Sequence, residues 1–326
     1  MKIVIGYDGS KAANAALKDL RNAGLAAAAE VRIVHAVAPL LPLESLAPVG
    51  NGITWYAEAY REAYDDQKRT VDHALAQAKE AAKLLKTMFP KWKVIAEATV
   101  DHPAHAVLEA AAKAKADLIV VGSTGWNLFT KAILGSVADK ILNHAHCTVR
   151  LGKGSPTSKP HAPRLLIAFD GSEHAKEAVR QVAARSWPRG TRALILAVSE
   201  FQLRMGDLAL ALTQTLGTGK GKASPWPWMD AQLAKAATTL TAAGILTDTA
   251  MVIDEPRRAI LIQARKFKAD TIVMGTHGHS GLSRFLLGSV SASVSAHAPC
   301  SVEIARAETK AKAKANLSAK AKPIRK

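Results

Sequence analysis

Short apolar runs alternate along this chain with longer stretches in which apolar residues recur at helical spacing. Lys2–Tyr7 reads as a strand buried on both faces, with Ile3, Val4 and Ile5 in succession. Ser10 stands at an N-cap position for an Ala-rich helix that ends near Gly24. Val31–Val37 is the next strand, Pro39 to Gly52 a loop rich in Pro and Gly, and Trp55–Met88 a long helical pattern with few breakers. Trp92–Val100 is strand-like. Pro103 opens a helix at a position where its missing N–H is harmless, and that helix runs to about Lys115. Leu118–Val121 is a short apolar strand, Gly135 to about His144 a helix, and Thr148–Leu151 a closing strand.

The plan then repeats. Arg164–Phe169 is a strand, a helix starts from Ser172, and Ala193–Ser199 is a strand. Residues 200–228 form an irregular insert, followed by a helix from Asp230 to about Ala243 and a strand over Ile245–Ile253. A helix begins at Pro256; strand Thr271–Met274, a helix at Gly288 and strand Ser301–Ala305 complete the second half. Strands that alternate with helices and read as continuous apolar runs predict a parallel sheet covered on both faces.

The two halves are copies. Asp8 in GYDGS matches Asp170 in AFDGS at an offset of 162, whereas Asp117 and Asp270, Gly122 and Gly275, and Cys147 and Cys300 match at an offset of 153. Laying residues 101–152 over 254–305 gives about 21 identities in 52 positions. So long a period marks a duplicated domain rather than a solenoid unit. The domains predicted are 1–152 and 163–305, joined by a linker over 153–162 and followed by a basic, disordered Lys/Ala tail over 306–326.

Each half carries a glycine loop after its fourth strand. Gly122-x-x-Gly125 is followed, after nine intervening residues, by Gly135-Ser136, and Gly275-x-x-Gly278 at the same spacing by Gly288-Ser289. Strand, glycine-rich loop and helix start together make an anion site. Glycine lets the backbone approach a ligand, and the unpaired N–H groups of a first helical turn point at it.

Composition adjusts this picture in three places. Hydrophobic content of 48% is enough for sizeable cores, and no apolar run is long enough to span a membrane. The start MKIVIGYDGS lacks the zones of a signal peptide, and two isolated cysteines fit a reducing compartment and offer no zinc site; a cytoplasmic location is the expectation. The net charge of +17 reads first as a property of the tail, with a weak nucleic-acid contact through that tail as the minority reading.

Asp-Gly-Ser after the first strand, the G-x-x-G-x9-G-S loop and the following SVSASVSAHAPCSV resemble the universal stress protein family. Both halves do, so the ordered chain resembles a tandem member over about 1–152 and 163–305. The resemblance implies two doubly wound α/β domains, each a five-stranded parallel sheet of order 3-2-1-4-5 with helices on both faces. Sheets of this kind bind ligands at the carboxyl ends of the strands where the order reverses. It also implies ATP, with Mg2+ as an optional companion. By motif position, Asp8 and Asp170 approach the adenosine end, and Ala36 and Val198 line the adenine. Gly122, Gly125, Gly135, Ser136 and Val137 hold phosphates in the first half, and Gly275, Gly278, Gly288, Ser289 and Val290 in the second. His277, His279 and Arg284 add positive charge to the second loop, whereas Trp126 and Phe129 crowd the first.

Plainer roles stand beside these. Asp8 and Asp170 suit helix caps, as do Asp101 and Asp254 before their prolines. His144 and His297 suit helix C-termini, and Cys147 and Cys300 suit the core. Trp226, Trp228 and Met229 form a lid over the second site, offer a partner surface, or pack back onto their own domain. The function expected is an ATP-binding regulatory protein of the stress response. The alternatives are a weak ATPase or self-phosphorylating protein acting through Ser136 and Ser289, and a nucleotide-free scaffold. The chain lacks G-x-x-x-x-G-K-[ST] and shows no obvious catalytic base with a metal-binding acid, which argues against efficient phosphoryl transfer. The two domains are expected to pair through their last strands, where Val149 and Val302 lie, with a homodimer as a further step.

Overall fold

A computed structural model describes residues 1–40, 53–123, 134–154, 161–199, 226–277 and 287–306, the side chains of 53–59 excepted. Gly125, Trp126, Phe129, Gly278, His279, Arg284, the loop before Gly52, most of the linker, most of the insert and the tail fall outside the described residues. The chain divides into two compact units, Met1–Arg21 with Ala26–Gly154, and Asn22–Leu25 with Ser155–Lys326.

The first unit runs β1 (Lys2–Gly6), α1 (Lys11–Asp19), β2 (Glu30–Val37), α2 (Ile53–Met88), β3 (Lys93–Val100), α3 (Pro103–Ala114), β4 (Leu118–Gly122), α4 (Ser136–His144) and β5 (Thr148–Gly152). All its strand pairs are parallel, in the order β3-β2-β1-β4-β5. The second runs β6 (Arg164–Ala168), α5 (Glu173–Ala183), β7 (Arg192–Ser199), α6 (Pro227–Ala242), β8 (Leu246–Ile253), α7 (Pro256–Phe267), β9 (Thr271–Gly275), α8 (Ser289–His297) and β10 (Ser301–Ala305). Its strands are likewise parallel, in the order β8-β7-β6-β9-β10. This is the doubly wound α/β architecture expected from the sequence, in two copies.

The apolar runs form the strands because both faces are covered. Ile3, Val4 and Ile5 are buried in β1, and Leu165, Leu166 and Ile167 in β6. The outer strands β3 and β8 depart from this rule: Ile95, Val100, Leu246 and Ile253 are exposed. Both copies fasten the start of the first strand in the same way. The Asp117 carboxylate accepts from the Lys2 N–H at 2.8 Å, and Asp270 from the Arg164 N–H at 2.9 Å.

The caps refine the sequence reading. Ser10 and Ser172 cap α1 and α5, accepting from Ala13 N at 3.1 Å and Ala175 N at 3.2 Å. Asp101 and Asp254 are not N-caps. His102 and Glu255 occupy those positions, and the Glu255 carboxylate accepts from the N–H groups of Arg257 and Arg258. Proline at the first helical position holds the residue before it in extended backbone, so the cap is that residue and not the aspartate one step earlier. α6 starts at Pro227, three residues ahead of Asp230, by the same use of proline at a helix start.

Candidate functional site

In both units the strand order reverses between the first and fourth strands, so their carboxyl ends diverge and leave a crevice. In the second unit this crevice is a cleft of about 150 Å³. Ala168, Phe169 and Asp170 at the end of β6, Leu196 and Val198 of β7, and Met274 and Gly275 of β9 line it. Pro256 and Ile260 of α7, Ala175 of α5, His277, and Val290 and Ser291 of α8 complete the wall. Of the residues marked from the sequence, the structure therefore brings Asp170, Val198, Gly275 and Val290 together around one space. Gly288 and Ser289 sit at its edge: Gly288 is the N-cap of α8 and Ser289 its exposed first residue.

Asp170 does not cap α5. Its Oδ1 accepts from the Ser172 N–H at 3.0 Å, as Asp8 does from Ser10, so each aspartate fixes the turn that leads into the helix. Gly9 and Gly171 adopt φ of +74° and +81° in those turns, a conformation that favours glycine. A Gln from the second helix lies over each turn: a Cβ on Gly9 would meet Gln77 Oε1 at 2.7 Å, and one on Gly171 would meet Gln232 Nε2 at 3.3 Å.

The loop glycines have a packing role as well. A Cβ on Gly275 would lie 2.7 Å from His174 Cβ and 2.8 Å from the His174 carbonyl carbon. At Gly122 the corresponding obstacle is the backbone of Ala12 and Ala13, at 2.9 and 3.0 Å. Glycine is thus required where the fourth strand ends against the first turn of α1 or α5. The base of each loop is closed by a backbone bond, from Gly135 N to Ser123 O at 3.0 Å and from Gly288 N to Thr276 O at 2.8 Å. Ser291 Oγ also donates to Gly275 O at 2.9 Å, tying α8 to the strand end.

α4 and α8 begin at glycine N-caps with no side-chain cap, unlike α1 and α5. Their first-turn N–H groups therefore receive no acceptor from the cap side chain, the arrangement that favours an anion. The two helices differ in charge. α4 carries Asp139 in its first turn, against an anion, and α8 carries no acid there. His277 lines the cleft beside α8. Burial first, and then coulombic repulsion from His174 and Arg306, hold its imidazole below the ordinary value.

In the first unit Asp8, Ala36, Gly122 and Val137 are half-buried at the matching strand and helix ends, and Ser136 is exposed. The other side of this sheet edge is polar. Tyr7 donates to Asn14 Oδ1 at 3.1 Å and packs edge-on to His35, whereas Phe169 and Ala197 occupy the same places in the second unit and belong to its apolar core. Burial lowers the His35 imidazole.

The remaining residues singled out from the sequence lie apart from the cleft or at its rim. Met229 is core and Trp226 packs against it, so packing on its own domain accounts for both; Trp228 is exposed, with its ring over Gly171. His144 and His297 end α4 and α8, and His297 Nδ1 lies 2.8 Å from Ser293 O. Cys300 is buried; Cys147 is half-buried, so the core assignment holds only for the former. Asp101, just ahead of α3, lies near His105 and Glu109 of that helix, but Asp101 is engaged by His105 at 2.6 Å and Glu109 by Lys113 at 2.7 Å. Residues that motif reading missed are Ala168, Phe169, Ala175, Leu196, Pro256, Ile260, Met274 and Ser291. Their only signal is position at strand and helix ends facing the crevice.

The class defined by fold and site is a tandem doubly wound α/β protein with a cleft at a topological switch point of its second unit. The model of the universal stress protein family matches residues 1–151 and 162–306, and the chain belongs to that family. It is 25% identical over 315 residues to a universal stress protein of Mycobacterium tuberculosis, covering 93% of this chain and 96% of that one. It is 34% identical over 154 residues to a universal stress protein of Methanocaldococcus jannaschii, covering 47% of this chain and 81% of the relative. Among solved structures, a universal stress protein of Archaeoglobus fulgidus shares the fold with a TM-score of 0.61 at 22% identity, covering 94% of this chain and 98% of that one. Among the described residues no helix is long and apolar enough to cross a membrane.

Proposed function

We propose that this chain is an ATP-binding regulatory protein of the universal stress response, acting in the cytoplasm, in which nucleotide occupancy sets conformation or partner binding. One observation carries the reading: the second unit's cleft gathers Asp170, Val198, Gly275 and Val290 beside the uncapped start of α8. The apolar walls, from Ala168, Leu196, Val198, Ile260 and Met274, suit a nucleobase. The Asp170 carboxylate is an acceptor for ribose hydroxyls or the adenine amine. The α8 N–H groups and His277 suit phosphate oxygens. The family resemblance points to ATP as the nucleotide. The second cleft is the stronger of the two, because Asp139 at the start of α4 opposes an anion in the first.

The test is nucleotide content. The protein is purified without added nucleotide and denatured, and the released material is separated by chromatography. Gly288→Trp is treated alongside, because a Cβ there already meets Thr276 O at 2.9 Å and the larger side chain must disturb the start of α8. One to two ATP per chain, reduced by Gly288→Trp in a folded protein, is the expected result. No release, and no binding when ATP is added back, would leave the scaffold reading in front.

A further inference from the structure

An imidazole pair, of which His277 lines the second cleft and His174 packs against it from α5, has no counterpart in the sequence of the first half. His174, in the first turn of α5, and His277, just beyond β9, place their ring centroids 5.8 Å apart with the planes at 61°. His277 lines the cleft and His174 stands behind Gly275, whose absent Cβ leaves His174 its place. The matching residues of the first half are Ala12 and Thr124, neither of which titrates. We propose that His174 and His277 are the phosphate-recognising pair of the second cleft, making it selective for phosphorylated adenine nucleotides over adenosine and coupling their binding to proton uptake. This rests on the nucleotide reading given above.

Two imidazoles this close repel one another when both are charged. In the ligand-free cleft burial first, and then the charge of His174, hold the His277 imidazole below its ordinary value. A phosphate group reverses the balance, because each imidazolium then donates a charge-assisted hydrogen bond to an anionic oxygen. Among the described residues the surrounding charges are few. α5 supplies Glu173 beside His174, the β6–α5 turn supplies Asp170, and Arg306 follows β10. α7 and α8 line the cleft with Pro256, Ile260, Val290 and Ser291, which carry no charge. Binding thus raises the imidazole pKa values, takes up protons, and strengthens as pH falls until both rings are charged in the free protein as well. Linkage limits the gain to about tenfold per pH unit for each coupled proton.

The experiment is isothermal titration of the full chain with ATP, AMP and adenosine at pH 6, 7 and 8, each in two buffers of different ionisation enthalpy so that protons are counted. His174→Gln, His277→Gln and the double variant are measured beside it; both side chains are only half-buried, which keeps the fold safe. The expected result is uptake of about one proton per ATP at pH 7 and at least about tenfold tighter ATP binding at pH 6 than at pH 8. Adenosine binding should be flat with pH, and the double variant should lose the uptake and the pH slope for ATP while keeping its affinity for adenosine. The nucleotide's own phosphate titration is common to all variants and cancels in the comparison. ATP binding with unchanged proton uptake in the double variant would overturn the pair's role and leave the nucleotide reading intact. No binding of any of the three ligands would remove that reading, and the pair's role with it.

Discussion

Arg150, the middle residue of β5, and Asp19, the last residue of α1, meet at 2.8 Å with both side chains withdrawn from water. A charge so placed depends on its counter-charge, because desolvation costs several kcal/mol per ion. Asp19→Ala should therefore destabilise the protein by about 3 kcal/mol. Lys113→Ala, which breaks an exposed pair with Glu109, should change stability by less than about 1 kcal/mol. Urea denaturation followed by circular dichroism distinguishes them; equal midpoints would show that the buried pair is not holding α1 to the sheet.

The second unit uses the opposite sign at the same place in the repeat. Glu303, in β10, is fully buried and contacts Arg185 beyond the end of α5, with Nη1 to Oε2 at 2.9 Å. The duplication preserved a buried charge in the last strand and reversed it. Arg185→Met should leave Glu303 short of a donor and cost about 3 kcal/mol, with a rise in the carboxyl pKa. Urea midpoints measured at pH 5 and pH 7 test this: the loss should be smaller at pH 5, where protonation relieves the stranded carboxylate.

Much of this architecture was legible in the sequence, for a stated reason. Strands such as Leu118–Gly122 and Thr271–Gly275 are buried on both faces, so they must be continuously apolar, and the duplication displays the pattern twice. The cleft was legible only where motif and topology coincide, at Asp170, Val198, Gly275 and Val290. His174 was not, because it reaches His277 only after a strand end and a helix start from distant parts of the chain are brought together around a glycine. The cap positions were read one residue early at Asp101 and Asp254, since the proline constraint on the preceding residue decides the cap more strongly than the preference for aspartate does.

Gly275 is a packing residue that also lines the second cleft. With His174 Cβ 2.7 Å from the site of a new methyl group and His174 backbone at 2.8 Å, Gly275→Ala has no space to enter without moving α5. Overpacking of this kind costs about 1–3 kcal/mol. Because the same shift displaces His174 and the Asp170 turn, nucleotide affinity should fall in the folded variant as well. Thermal denaturation and ligand titration check the two effects separately.

Lys115 and Lys268 end α3 and α7 in left-handed backbone, with φ of 51° and 52°. A side chain in that region is held against its steric preference, by roughly 1–2 kcal/mol. Lys115→Gly and Lys268→Gly should each raise stability by about 0.5–1 kcal/mol, the remainder being offset by the greater chain entropy of glycine when unfolded. A higher denaturation midpoint, additive in the double variant, is the expected outcome.

His105 and Asp101 give a pH dependence with a definite sign. The hydrogen bond to Asp101, at 2.6 Å, is the main cause that raises the His105 pKa, and the same bond chiefly lowers that of Asp101. The His105 contribution to stability is fully present below its unfolded pKa and is lost as pH rises through the raised folded value. The Asp101 contribution is present above its unfolded pKa and is lost as pH falls through the lowered folded value. The pair therefore operates between the carboxylate range and the raised imidazole pKa. In the second unit Arg258 takes the place of His105 and faces Asp254 at 3.9 Å. Imidazole resonances followed by NMR should place the His105 midpoint above the ordinary histidine value, and Asp101→Asn should bring it down. A midpoint indifferent to Asp101→Asn would mean that the ion pair does not persist in solution.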